Sequence, residues 1–110
     1  MTDKICVFST CATDEEAERL ARLLVERRLA ACVNVIVGVR SFYRWKGAVE
    51  DAAERLLVIK SSRALFPALK AALEAAHSYE TPEALALPIL DGAANYLNWL
   101  DESLQKVESD

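Results

Sequence analysis

From residue 33 to residue 45 the chain alternates: Val33, Val35, Val37 and Val39 share one parity, and Tyr43 and Trp45 continue it. A period of two sustained over that length predicts a β-strand whose successive side chains point to opposite faces. Lys46-Gly47 then supplies a tight reversal, and Glu54 to Ser61, containing Leu56, Leu57, Val58 and Ile59, reads as the returning strand. Arms of such a hairpin reach about 14 residues, against roughly 5 to 6 for an ordinary strand. One small domain has no core wide enough to cover them. Unpaired edge backbone is a liability that proteins cover or pair, so joining hairpins between subunits into a closed, symmetric ring is the expected outcome. This pattern leaves the number of subunits open.

The rest of the chain fits around that hairpin. Residues 4 to 11 are β-branched and apolar and end at a polar Thr-Asp step, as a buried strand does. Thr13 with Glu16 three positions on has the form of a capping box, and Ala17, Leu20, Ala21 and Leu24 recur at helical spacing, predicting a helix over about 14 to 29. A second helix is expected over about 63 to 77, where Leu65, Leu69, Ala72 and Ala76 form a stripe and Pro67 fits only in the first turn. Ala84 to Leu90 reads as a last strand. Its Pro88 donates nothing to a ladder, so it belongs at an edge or a bulge. Leu97, Leu100 and Leu104, with Tyr96 and Trp99, predict a short terminal helix. The order strand, helix, strand, strand, helix, strand is the split βαβ, ferredoxin-like α+β sandwich with an antiparallel sheet and one helix appended.

Composition narrows the class. The 110 residues, 53% of them apolar, suffice for a single domain over 1–110 with its own core. With 13 basic and 17 acidic residues the net charge is −4, which disfavours phosphate backbones and anionic lipid as partners. The N-terminus has no long apolar stretch with a cleavage site, and no apolar run nears the ~18 to 20 residues of a membrane helix, so a cytoplasmic protein is expected. Cys6, Cys11 and Cys32 make an odd set spread over apparent core segments, a poor disulfide framework, and are expected to be reduced thiols.

Five blocks in succession carry a resemblance: Leu29-Ala30-Ala31-Cys32-Val33-Asn34, Ser41-Phe42-Tyr43-Arg44-Trp45-Lys46-Gly47, Ile59-Lys60-Ser61, His77-Ser78-Tyr79-Glu80-Thr81-Pro82-Glu83 and Asn95-Tyr96-Leu97-Asn98-Trp99-Leu100. In this order and spacing they resemble the CutA divalent-cation tolerance family, over about Val7 to Leu104. The resemblance implies a homotrimer similar in architecture to PII signalling proteins, long hairpins forming intersubunit sheets, and a link to tolerance of divalent metals, chiefly copper. In some members a copper site is attributed to a cysteine at the end of the first strand and two adjacent histidines after the second helix. Ungapped alignment puts Ser9, Ala76 and His77 at those positions, so one ligand of three is in place.

Read as chemistry, His77 is the chain's only imidazole and a good ligand for Cu(II) or another divalent cation, although a histidine there also caps a helix C-terminus. One histidine holds a transition metal weakly, so the candidate set adds Cys11, Glu80 and Glu83 or a neighbouring subunit. Cys11 lies beside a helix N-terminus, whose dipole lowers a thiol pKa. Cys32, on the opposite parity to Val33, is expected to pack as a small hydrophobe. Tyr43 and Trp45 would stack a flat ligand or pack at a subunit interface. Lys60, Tyr79 and Trp99 complete the candidates for a cleft or interface, while Glu50, Asp51 and Glu54 read as a solvated face or as paired carboxylates that would collect a hard cation. No GxSxG, P-loop, HExxH or second histidine is present, so no reaction and no organic cofactor are expected. Two readings follow: a metal-binding or metal-tolerance trimer, and a PII-like sensor or scaffold holding an anion or metabolite in intersubunit clefts, read by a protein partner.

Overall fold

The computed structural model describes residues 1–107. Strand β1 spans Lys4–Cys11, helix α1 Asp14–Glu26, strand β2 Cys32–Trp45, strand β3 Ala48–Ser62, helix α2 Phe66–Ala76, strand β4 Leu85–Pro88 and helix α3 Ala94–Ser103. The four strands form one antiparallel sheet in the order β2-β3-β1-β4. This is the ferredoxin-like arrangement expected from the element order.

Most boundaries follow from local chemistry. Thr13 caps α1, its hydroxyl accepting the Glu16 N–H at 3.1 Å. The helix stops three residues earlier than its apolar spacing suggests, because Arg28 enters the left-handed region at φ 57°. The Leu29 N–H then returns to the Leu24 carbonyl and the Arg28 N–H to that of Val25, the paired bonds of a Schellman cap. A single 3-10 turn over Arg63–Leu65 leads into α2, with Pro67 in the first turn, where its missing donor costs nothing. Pro88 does sit in an outer strand, at the end of its ladder.

The hairpin has the reach expected of it, but its returning strand starts earlier than the apolar pattern indicates. Pairing continues to Trp45 opposite Ala48, so β3 begins six residues before Glu54 and the arms run to 14 and 15 residues. The stretch Val49-Glu50-Asp51-Ala52-Ala53 has weak strand propensity of its own and is extended by its ladder with β2. Lys46 and Gly47, at φ 50° and 84°, close it with both central residues left-handed.

The alternation of β2 does not hold through its length. Ile36 pairs with Leu56 but Val39 with Glu54, so Val37 and Gly38 together oppose one residue and form a β-bulge, with Gly38 at φ 86°. Residues directly opposite across a ladder point to one side. Val33 and Val35 therefore share the helix-covered face with Ile59 and Leu57, while Tyr43 and Trp45 lie beyond the bulge on the opposite, open face with Glu54. The expected single stripe from Val33 to Trp45 is thus split between two faces.

Val7, Leu57 and Ile59 on the covered face pack against Leu20 and Leu24 of α1 and Leu69 and Leu73 of α2, with Leu100 of α3 closing the core. Lys4 ties α3 down through Asp101 at 2.8 Å. The open face carries Phe8, Leu85 and Leu87 at its β4 side and Cys32, Lys60 and Cys6 in one row across β2, β3 and β1.

Candidate functional site

After α2 the chain must pass from the covered side of the sheet to edge strand β4. The turn that carries it there, residues 77–83, is fixed by side chains and not by regular structure. His77 ends α2, its amide bonded to the Leu73 carbonyl at 3.0 Å, and its ring is fully buried. Nδ1 accepts the Tyr79 N–H at 3.0 Å, so the proton sits on Nε2, which donates to the Thr10 carbonyl at 2.8 Å. Both ring nitrogens are thereby engaged.

Beside it Glu16, buried at the start of α1, accepts the Ser78 N–H at 2.8 Å and the Ser78 hydroxyl at 2.9 Å. Burial pushes the Glu16 carboxyl up, but the two Ser78 hydrogen bonds outweigh it and hold the group below the usual carboxylate range. Tyr79 packs its ring 4.7 Å from His77 and donates its hydroxyl to Glu54 Oε2 at 2.6 Å. Burial first, then that bond and the Glu54 charge, drive the phenol well above its ordinary value.

The turn and the outer half of the hairpin enclose a cleft of about 630 Å³. Thr10, Ser41, Phe42, Tyr43 and Trp45 supply its wall, Glu54 and Tyr79 its inner end, and Glu80, Thr81 and Glu83 the side formed by the turn. Among the described residues three carboxylates line it and no Lys, Arg or His does.

The residues singled out from sequence therefore divide. Tyr43, Trp45, Tyr79, Glu80 and Glu83 come together in the cleft, whereas Cys11, Cys32, Lys60 and Trp99 do not line it. His77 stands behind the turn. Cys11 is fully buried on the covered face, its thiol 3.7 Å from the Thr13 carbonyl. Burial and then the Glu16 charge push that thiol up, opposite to the lowering expected of a helix N-terminus. Ser9 is also fully buried and its hydroxyl has no partner among the described residues. Cys32 lies opposite Lys60, whose ammonium donates to Asn34 Oδ1 at 2.6 Å. Trp99 is half exposed on α3, 5.5 Å from the Tyr96 ring. Among the described residues no group of three or more His, Cys, Asp or Glu side chains is gathered closely enough to hold a metal ion, and no helix is long and apolar enough to cross a membrane.

Glu54, Thr10, Ser41, Phe42 and Thr81 enter the site through the structure. The one sequence signal that pointed there was Gly38, since a lone glycine inside a strand pattern marks a bulge, and the bulge is what turns Tyr43 and Trp45 toward Glu54.

Comparison with known proteins adds the relationships. The model of the CutA1 divalent ion tolerance protein family matches residues 5–103. A divalent-cation tolerance protein CutA of Thermus thermophilus is 46% identical over 97 residues, covering 88% of this chain and 94% of that protein. The mouse protein CutA is 41% identical over 102 residues, 93% of this chain but only 58% of the longer mouse sequence. In structure, CutA from Xylella fastidiosa superposes with a TM-score of 0.92 at 38% identity, over 94% of this chain and the whole of the other.

Proposed function

The chain belongs to the CutA1 divalent ion tolerance family, and from that premise we propose that it works as a non-enzymatic, cation-binding homotrimer of the cytoplasm whose divalent cation is taken by Glu80 and Glu83 at the mouth of the cleft. The observation that carries the reading is the charge of the cleft: three carboxylates and no basic side chain. Carboxylate oxygens are the donors that hard divalent cations use. The same charge argues against an anion in this cleft, which bears on the sensor reading.

The role given to His77 is to hold the turn. Coordination by its ring would require Nδ1 to release the Tyr79 amide or Nε2 to lose its proton and the Thr10 carbonyl. Cys11 has no route to the cleft without opening the core around it. Assembly is supported by the exposed apolar side chains of the hairpin and open face, among them Ile36, Val37, Val49, Leu85 and Leu87. Exposed apolar side chains in such number fit a contact surface, and three is the number of copies the family resemblance implies.

The test is isothermal titration of Cu(II), then Zn(II), into chelator-stripped protein of known mass by light scattering, beside Glu80→Gln/Glu83→Gln and His77→Ala. Copper is tried first because it stands at the top of the affinity order for nitrogen and oxygen sites. Uptake that the double carboxylate variant loses supports the reading. Uptake indifferent to both carboxylates, or none by a folded trimer, refutes it.

A further inference from the structure

The inner end of the cleft differs from its mouth. Glu54 is only 7% exposed, and one of its oxygens receives the Tyr79 hydroxyl at 2.6 Å. Among the described residues no cation of the chain neutralises it. The basic side chains nearest in sequence are committed elsewhere: Arg40 to Asp51, Arg55 to Asp14 and Lys60 to Asn34. A largely buried carboxylate without a counter-charge is costly, and its second oxygen is not among the buried atoms left without a partner but open to the cleft that Glu54 lines, where a charge from outside the chain can reach it.

The surroundings say what kind of cation. Tyr79 is in direct contact with Glu54, and Tyr43 and Trp45 line the same cleft farther out, four and six residues along β2 from Val39, the residue opposite Glu54. Aromatic faces attract cations through their quadrupole, and Trp45 already has the Lys46 ammonium 5.9 Å from its ring centre on its own chain. A hard divalent ion such as Mg(II) or Ca(II) takes six or more oxygens, and Glu54, with one oxygen already held by Tyr79, brings a single free carboxylate oxygen. A volume of about 630 Å³ is instead that of a pocket for a small organic molecule.

We propose that the inner end of this cleft binds a small organic cation carrying N–H donors, a primary ammonium or guanidinium, whose charged head pairs with Glu54 beside Tyr79 and whose body extends along the cleft toward Tyr43. The site is separate from the metal reading, since it uses neither Glu80 nor Glu83 as a ligand. Charge and donors are both required: the carboxylate selects the charge, and its free oxygen accepts an N–H that a quaternary ammonium lacks.

Phenethylammonium is a suitable probe, with tetramethylammonium as the donor-free comparison and benzoate as the anionic one. Each is titrated into the intact oligomer in excess chelator, followed by calorimetry and by tryptophan fluorescence, with Trp99→Phe leaving Trp45 as the sole reporter. Saturable binding of phenethylammonium that falls about 10- to 100-fold in Glu54→Gln, the loss expected of one hydrogen bond to a charged group, supports the proposal, as does weaker binding in Tyr43→Leu. Glu54→Gln keeps an acceptor for Tyr79 and removes a buried charge, so folding is retained. The proposal is overturned if the folded protein leaves phenethylammonium unbound at millimolar concentration, if Glu54→Gln binds it as well as the parent, or if benzoate binds equally well. It is also overturned if Glu54→Gln loses its oligomeric mass, which would assign the counter-charge to a neighbouring copy. The chelator keeps this result independent of the copper titration.

Discussion

Ser78→Ala isolates the bond on which the 77–83 turn depends most. In the parent, Glu16 has a donor on each oxygen, the Ser78 hydroxyl at 2.9 Å on Oε1 and the Ser78 amide at 2.8 Å on Oε2, with Arg19 more distant at 3.4 Å. Alanine keeps the amide and removes the hydroxyl. A hydrogen bond to a charged group contributes about 1.5–3 kcal/mol, and because Ser78 itself is exposed the low end applies, about 1.5 kcal/mol or roughly tenfold in the folding equilibrium. The pH dependence has a definite sign. Glu16 titrates below its ordinary value when folded, so its stabilisation is fully present above the unfolded carboxylate pKa of about 4.3 and is lost as pH falls through the lower folded value. Losing one of the lowering bonds moves the folded value back up. The cost of Ser78→Ala should therefore be full at pH 7 and shrink toward that of a neutral hydrogen bond at pH 3. Urea unfolding followed by circular dichroism, at one fixed protein concentration because assembly is linked to folding, measures it. A penalty that is equal or larger at pH 3 would refute the account of Glu16.

Two further outcomes are expected. Ser9→Ala should stabilise the protein by about 1 kcal/mol, because the Ser9 hydroxyl is fully buried without a partner and an unsatisfied polar group costs about 1–3 kcal/mol; a lowered urea midpoint would show that the hydroxyl is satisfied after all. Gly38→Ala should destabilise by about 1–2 kcal/mol through backbone conformation alone, since a Cβ there meets nothing within 4 Å while φ is 86°; a neutral effect in the same assay would mean that the bulge is not held at that angle.

The sequence made legible whatever rests on neighbours along the chain. Thr13 capped α1 as its spacing with Glu16 indicates, Pro67 fell in a first turn, and Pro88 went to an edge, each because one residue's donors or dihedrals decide the matter locally. Glu16 shows where that kind of reading ends. A capping box would return its carboxylate to the Thr13 amide, yet both of its oxygens take Ser78 donors from 62 residues away, which no spacing along the chain reveals. Arg28 is similar: nothing local marks an arginine for a left-handed cap that a glycine usually occupies.

The largest departure has a single origin. In a strand with strict alternation Tyr43 and Trp45 would share a face with Val33 and Val35, and that face is covered by helices. One extra residue at Val37-Gly38 reverses the parity of everything beyond it, as a one-residue slip always does in a structure of period two. The outer arm thereby presents Tyr43 and Trp45 to Glu54 on the open face, while Val33 and Val35 keep their places beside the core. Glu54 reads as a solvated carboxylate because its burial against Tyr79 comes from a turn 25 residues away, which no strand spacing reveals. The cleft is thus a product of the bulge and the turn together. Its aromatic wall arises from one glycine in a valine-rich strand and its acidity from β3 and the 77–83 turn, and these are the features on which both cation readings stand.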